Sequence, residues 1–512
     1  MGDPIRVAPF ALACVSPTQR PYLTMRIRKS NVSSCKLFHA RTVISWSQSV
    51  THRKNLTAAT LAGMCAVGMY AQTPATAPST PATPPATAEG RRAPAPPPNV
   101  VAGIPVNYDE SKVGTYTLPD PLMLDSSKKV TDAKTWWSKR RPEVERLIET
   151  QQYGIAPGRP ADESFEVTDK GTPALDGKAI RKQVTIHLSK DSSWPMIHLL
   201  IYLPAKAKKP VPMFFTINFG ANQNVVDDPG ITVQKVRDPK TNELVPPPPP
   251  DAFRRAFGRV NVQAFLDAGI GVASYNYSEL DPDSLTGFPF GIRAKYMKPG
   301  QKGQEDRSPD AWGSIAAWAW GMSRVEDYFE TDKDIDAKRV AIHGISRLGK
   351  TVVWAGAHDQ RFAAVIASCG GEGGAALSHR DYGETIAHLT APTRYPYQFA
   401  ANWAKYAGFP DKAPFDSHFI LALIAPRPVL LQTGSTDYWS DPKGEFLAEV
   451  AAGPVYKLLG KQDLGTDQWP PAGTPIFTNG LNYYMHDGGH GMVPGDWDIY
   501  VKFLKAQFHP EQ

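Results

Sequence analysis

Cysteine is scarce in this 512-residue chain: there are four, Cys14, Cys35, Cys65 and Cys369, and only Cys369 lies beyond residue 71. A disulfide framework and a cysteine-based zinc site are thereby excluded from everything downstream. No His-Glu-x-x-His pattern occurs, so no metal and no cofactor is expected. Acidic residues are almost missing from the first 71 positions, which hold nine Lys or Arg against Asp3 alone. That segment carries +8 of a formal charge of +6, leaving −2 for the rest. A nucleic-acid-binding fold keeps its positive charge in its folded part, so no nucleic-acid partner is expected. The apolar run from Leu56 to Ala71 is too short to span a bilayer.

That run follows His52, Arg53 and Lys54 and has the length of a signal-peptide core, so residues 51–71 read as an export signal cleaved near Ala71. A secreted or periplasmic protein with no stable membrane association after cleavage is expected. Residues 1–50 show no periodicity or targeting pattern and read as an upstream extension. Residues 72–99 are Thr, Ala and Pro with hardly a large apolar side chain, which predicts a disordered tether. Residues 100–512 have a globular composition with no further linker, and a single monomeric domain is expected.

Within that domain, helical periodicity covers Thr135 to Gln152, and β-prone runs cover Lys182 to Leu188, Ile197 to Leu203, Met213 to Asn218 and Gly271 to Tyr277. Apolar strands then alternate with helices. Val340 to His343 precedes a helix from about Gly349, Ala363 to Ser368 a loop, Val429 to Gln432 a helix near Gly444 to Leu459, and Asn482 to Met485 a helix from Trp497. Such alternation predicts the α/β class: a mostly parallel sheet sandwiched by helices, with ligands beyond the carboxyl ends of the strands. Two long insertions interrupt it. Asn222 to Arg259 contains the run Pro246 to Pro250, and Gly373 to Pro414 contains Tyr382, Tyr395, Tyr397, Phe399 and Trp403. The aromatic insertion is either a wall for a ligand or packing under the loop.

The stretch Arg339 to Lys350, RVAIHGISRLGK, runs from a short strand through Gly344-Ile345-Ser346-Arg347-Leu348-Gly349 into a helix. This is the logic of a nucleophile elbow, in which small neighbours let the backbone bend under an exposed Ser hydroxyl. The small residue expected two positions after Ser346 is instead Leu348, with Gly349 one further on. A Ser nucleophile needs a base, and the base an orienting acid. His490 sits in Gly488-Gly489-His490-Gly491 between the last strand and the terminal helix; His486 is its competitor, and His343 is expected to point into its strand.

Gly-x-Ser346-Arg347-x-Gly-Lys350 is similar to the motif of the glucuronoyl esterases, the fifteenth carbohydrate esterase family. The likeness extends over most of residues 130–507, through WGSIAAWAWGMSRVEDYFETDKDIDAKRVAIHGISRLGK, GGEGGAALSHRDYGE, YPYQFAANW, DYWSDPKGEF and GGHGMVPGDW. It implies an α/β-hydrolase fold with loop insertions around the site. Many members of that family carry a Glu after the strand that follows the nucleophile, where this chain has Cys369. The acid is then Glu372, three residues on, or Asp437 after the strand ending near Gln432, which gives the order Ser, Asp, His. Asp437 is preferred, and Asp441 is expected to cap the following helix. The resemblance also implies that the Arg347 side chain joins its backbone N–H in stabilising an oxyanion, and that Lys350, Glu384, Gln398 and Trp439 bind the sugar. The loop Asn218 to Ala221 is a source of further donors, and His379 or Arg380 is expected to line the pocket.

The expected function is a serine esterase that cleaves the ester between 4-O-methyl-glucuronic acid of xylan and a lignin alcohol, a 4-O-methyl-glucuronoyl methylesterase type of carboxylic ester hydrolase. An acetyl-xylan or other carboxylic esterase fits the same fold and triad. An inactive carbohydrate-binding protein is the reading that the missing carboxylate at Cys369 favours.

Overall fold

The computed structural model describes residues 97–247 and 259–508. The extension 1–50, the signal 51–71, nearly all of the tether 72–99 and part of the Pro246 to Pro250 run lie outside the described residues.

A nine-stranded sheet forms the centre. In chain order its strands are β1 (Ser164–Ala174), β2 (Ala179–His187), β3 (Met196–Pro204), β4 (Val211–Asn218), β5 (Gly271–Asn276), β6 (Ile335–Ile345), β7 (Ala364–Ser368), β8 (Val429–Gly434) and β9 (Leu481–His486). Across the sheet they run β9, β8, β7, β6, β4, β5, β3, β2, β1. The six from β9 to β5 are mutually parallel, whereas β3, β2 and β1 add antiparallel ladders at one side. This is the α/β arrangement that the strand and helix alternation predicts, and the α/β-hydrolase fold that the resemblance implies.

Strands buried on both faces read as continuous apolar runs, because each successive side chain enters a different core. In β4, Phe215 packs into the larger core with α3 (Ser314–Phe329), α4 (Arg347–His358), α5 (Ser417–Ile424) and α6 (Pro442–Leu458). Its neighbour Phe214 enters the opposite core with α2 (Val262–Asp267) and α7 (Asp496–Phe508), stacking on Phe265 at 4.3 Å. Every residue of α3 is buried, its first half almost wholly apolar and its second half carrying the buried charges Arg324, Glu326 and Asp327. The first helical stretch, Ala133 to Tyr153, matches the predicted span but holds two π-helical segments, Trp136–Arg140 and Glu149–Tyr153, on either side of α1 (Arg141–Ile148).

Two elements escape the sequence pattern. Strand β1 is a polar edge strand containing Thr, Asp, Lys, Gly and Pro, and its ladder with β2 shifts register twice. The six-residue helix α2 follows the proline-rich insertion and is capped by Asn261, whose side chain accepts from Ala264.

Candidate active site

Parallel register decides where the site lies. Ile345 pairs with Ser368, Ser368 with Gln432 and Gln432 with Tyr484, so the carboxyl ends of β6, β7, β8 and β9 stand side by side. The loops carrying Ser346, Cys369, Asp437 and His490 all leave from that edge, as the crevice rule for such sheets requires.

Ser346 has φ +60° and ψ −126°, a sparsely populated conformation for a residue with a side chain, and is half-buried at the amino end of α4. Its N–H donates to the Ser368 carbonyl at 2.8 Å, and its carbonyl accepts from Lys350 at 3.0 Å. The neighbouring glycines are explained by close approach. A Cβ on Gly344 would sit 2.3 Å from the Leu348 carbonyl oxygen, and one on Gly349 would sit 2.8 Å from that of Ser368. Leu348, the departure from the generic motif, is fully buried in the larger core. Gly349 supplies the close approach to β7 one residue later.

His490 Nδ1 lies 2.7 Å from Asp437 Oδ2 and 3.2 Å from Ser440 Oγ. Burial works to raise Asp437, but the hydrogen bond and charge of His490, with Ser440 and the Cys369 thiol adding to them, hold its carboxyl below the ordinary value. Asp441, as expected, caps α6 by accepting from Gly444 at 3.0 Å.

The other candidate acid points elsewhere. Glu372 follows Gly371, whose φ is +58°, and its carboxylate accepts from Ser378 Oγ at 2.6 Å instead of approaching His490. Burial pushes it well above the carboxylate range. Cys369 is buried at φ +47°, with Gly491 N 3.5 Å from its sulfur. The ligand atoms of Cys369, Asp437 and His490 lie within 4.8 Å of one another, a grouping that could hold a metal ion.

The competing histidines are held inside the fold. His343 is enclosed between Thr216 Oγ1 at 2.9 Å and Ser368 Oγ at 3.2 Å, and burial pushes it down to about 3. His486 is buried against Asp496 at 3.0 Å, with its other nitrogen 3.0 Å from the Gly489 carbonyl. It braces the loop that presents His490.

One cavity of about 190 Å³ is lined by Ser346, Arg347, Lys350, Glu384, Gln398, Asp437, Trp439 and His490. Cys369, Leu389, Arg394, Tyr395 and Ser440 complete its wall. Lys350 Nζ donates to the carbonyls of Gly370 at 2.9 Å and Glu372 at 2.7 Å, and stands 3.4 Å from Glu384 Oε2. Glu384 is also paired with Arg394 at 3.0 Å, and Arg394 lies over Trp439 at 5.5 Å and Tyr395 at 4.8 Å. The aromatic insertion serves both of its expected purposes. Tyr395 is cavity wall, whereas Phe399 and Trp403 are core, 4.1 Å apart.

Arg347 lies over the Tyr395 ring at 4.7 Å and 6.0 Å from the Phe219 ring in the Asn218 to Ala221 loop. Its Nη1 is bonded to Asp283, raising the guanidinium above an already high ordinary value despite burial. His379 and Arg380 do not line the cavity: His379 is tied to Asp416 at 2.7 Å, and Arg380 to Asp441 at 2.8 Å and to Glu110. Asp283, Arg394 and Ser440 escaped sequence reasoning because the first two sit in irregular chain and Ser440 in a single 3₁₀ turn, Tyr438–Ser440, with no periodicity around them. The only available hint for Asp283 was the need of a buried Arg for a counter-charge.

Among the described residues, no helix is long and apolar enough to cross a membrane. A family model described as "Glucuronyl esterase, fungi" matches residues 307–460. Carbohydrate esterase MZ0003, from an unknown prokaryotic organism, is 44% identical over 402 residues, covering 78% of this chain and 91% of that protein. Among solved structures, a glucuronoyl esterase from Solibacter usitatus superposes with a TM-score of 0.73 at 44% identity, covering 78% of this chain and 100% of its own. A promiscuous CE15 esterase from a marine bacterial metagenome gives 0.70 at 42% identity, covering 78% of this chain and 99% of its own.

Proposed function

The chain belongs to carbohydrate esterase family 15, the glucuronoyl esterases, and is a carboxylic ester hydrolase; from that premise we propose that Ser346, His490 and Asp437 are its catalytic triad and that its substrate is the ester between (4-O-methyl-)glucuronic acid of xylan and a lignin alcohol. The observation that carries the reading is the 2.7 Å Asp437–His490 contact beside the cavity that Ser346 lines. With Nδ1 donating to Asp437, the His490 tautomer leaves Nε2 to accept the Ser346 proton.

Ser346 Oγ attacks the uronoyl carbonyl carbon as His490 takes its proton, and the resulting oxyanion is held by the Arg347 N–H and guanidinium. One such donor contributes about 3–4 kcal/mol. Collapse breaks the bond to the alcohol oxygen, which leaves with the proton from His490. Water, deprotonated by the same imidazole, then releases the uronic acid and restores Ser346. Lys350, Glu384 and Gln398 bind the sugar hydroxyls, and the half-buried Trp439 offers a ring as platform. The test is Ser346→Ala with benzyl glucuronate as substrate: hydrolysis is lost, and retained hydrolysis would remove Ser346 from the role.

A wider carboxylic esterase activity is the second reading, supported by the likeness to a relative described as promiscuous. Rates on acetylated xylan against those on benzyl glucuronate separate the two. The inactive reading rested on Cys369; a carboxylate on His490 from the next strand argues against it. Residues 51–71 support export to the periplasm or the outside of the cell.

A further inference from the structure

Asp283 lies in the loop after β5 and is nearly inaccessible, its side chain 6% exposed. Both of its oxygens are occupied. Tyr277 donates its hydroxyl to Oδ2 at 2.8 Å, beside the Arg347 Nη1 contact, while Tyr397 Oη and Gln398 Nε2 each donate to Oδ1 at 2.7 Å. These four donors come from three separate parts of the chain: the loop after β5, the nucleophile helix and the aromatic insertion. A carboxylate has about four acceptor sites, so this one is saturated and has none left for a substrate. It is also not among the residues lining the cavity, whereas Arg347 and Gln398 are.

We propose that Asp283 is a positioning residue that sets the Arg347 guanidinium for the oxyanion. The inference rests on the reading of Arg347 given above. Without Asp283, the guanidinium keeps the Tyr395 and Phe219 faces but loses the one fixed charge that orients it, and it swings within the space between the rings. With Asp283, the transition-state donor is preset, which is where such donors gain their effect. An Asn at this position keeps the volume but presents an NH₂ to groups that are themselves donors.

A double-mutant cycle on benzyl glucuronate tests this, crossing Asp283→Asn with Arg347→Ala, alongside melting temperatures. Asp283→Asn is expected to lower kcat roughly 10–100-fold with KM changed less than about threefold, and to lower it less than about threefold once Arg347 is Ala. Tyr397→Phe removes one donor to the same carboxylate and keeps the test open if Asp283→Asn fails to fold. Its kcat loss, about two- to fivefold, also disappears when Arg347 is Ala. Equal losses in both backgrounds, with an active parent and a slow Arg347→Ala, overturn the assignment of Asp283 alone. An Arg347→Ala variant as fast as the parent, or a parent inactive on benzyl glucuronate, overturns the reading beneath it and this one with it.

Discussion

The loops after β7 and β8 leave adjacent strands at the same edge of the sheet, yet they meet the imidazole differently. The β7 loop brings Cys369 to the position where the family resemblance puts a Glu, and turns its own carboxylate, Glu372, towards Ser378. The β8 loop brings Asp437 to His490 at 2.7 Å. Paired parallel strands stand about 4.8 Å apart, so moving the acid by one strand is a short step that a side chain and a loop can span. On the proposed triad, the imidazole takes its carboxylate at Nδ1 from the β8 loop, one strand over from the position that Cys369 holds.

That comparison can be broken at several points. The largest effect belongs to the imidazole itself: His490→Ala should lower kcat/KM on benzyl glucuronate about 10⁴–10⁶-fold, measured by initial rates. Restoring the acid to the β7 loop should repair some of the damage. Cys369→Glu introduced into Asp437→Asn is expected to regain roughly tenfold in kcat over Asp437→Asn alone, because catalysis depends on the charge beside Nδ1. No gain would mean that the β8 position is uniquely suited. Trp439, two residues beyond Asp437, separates substrate binding from chemistry on the same loop. Trp439→Ala should raise KM about tenfold while kcat stays within about threefold, as expected for a contact made equally in ground and transition states.

The smallest effect contrasts two buried carboxyls. Asp437 has partners that lower it, so its stabilising contribution is present above its ordinary value of 3.8 and fades as pH falls through the depressed one. Glu326 in α3 has neither carboxylate oxygen paired, and burial raises it to about 8. Between its ordinary value of 4.5 and about 8 the folded state therefore holds more protons than the unfolded, and stability declines as pH rises. Glu326→Gln should remove that decline, raising the melting temperature at pH 8 by about 2 °C over the parent and by less at pH 5.

What could be read from the sequence follows from how strongly each residue is constrained locally. Strands β4 to β9 announce themselves because burial on both faces forces continuous apolar runs. The elbow does so because Gly344 and Gly349 each abut a carbonyl that tolerates no Cβ. The eight side chains of the expected triad, oxyanion and sugar groups line one cavity, a placement the family motifs carried and composition alone could not have. Strand β1 stayed hidden because an edge strand needs no apolar face. Asp283 stayed hidden because its importance comes from Arg347, Tyr397 and Gln398, residues 64 to 115 positions away that no local pattern links to it. His379 and Arg380 were misplaced for the same reason, since their partners Asp416 and Asp441 lie on distant loops.

The most direct measurement is the kcat of Asp437→Asn beside that of Glu372→Gln on benzyl glucuronate at neutral pH. A loss of about 10³–10⁴-fold in the first, with the second within about tenfold of the parent, is the expected result. A loss of that size in Glu372→Gln, with Asp437→Asn nearly unaffected, would contradict the account and return the acid to the β7 loop.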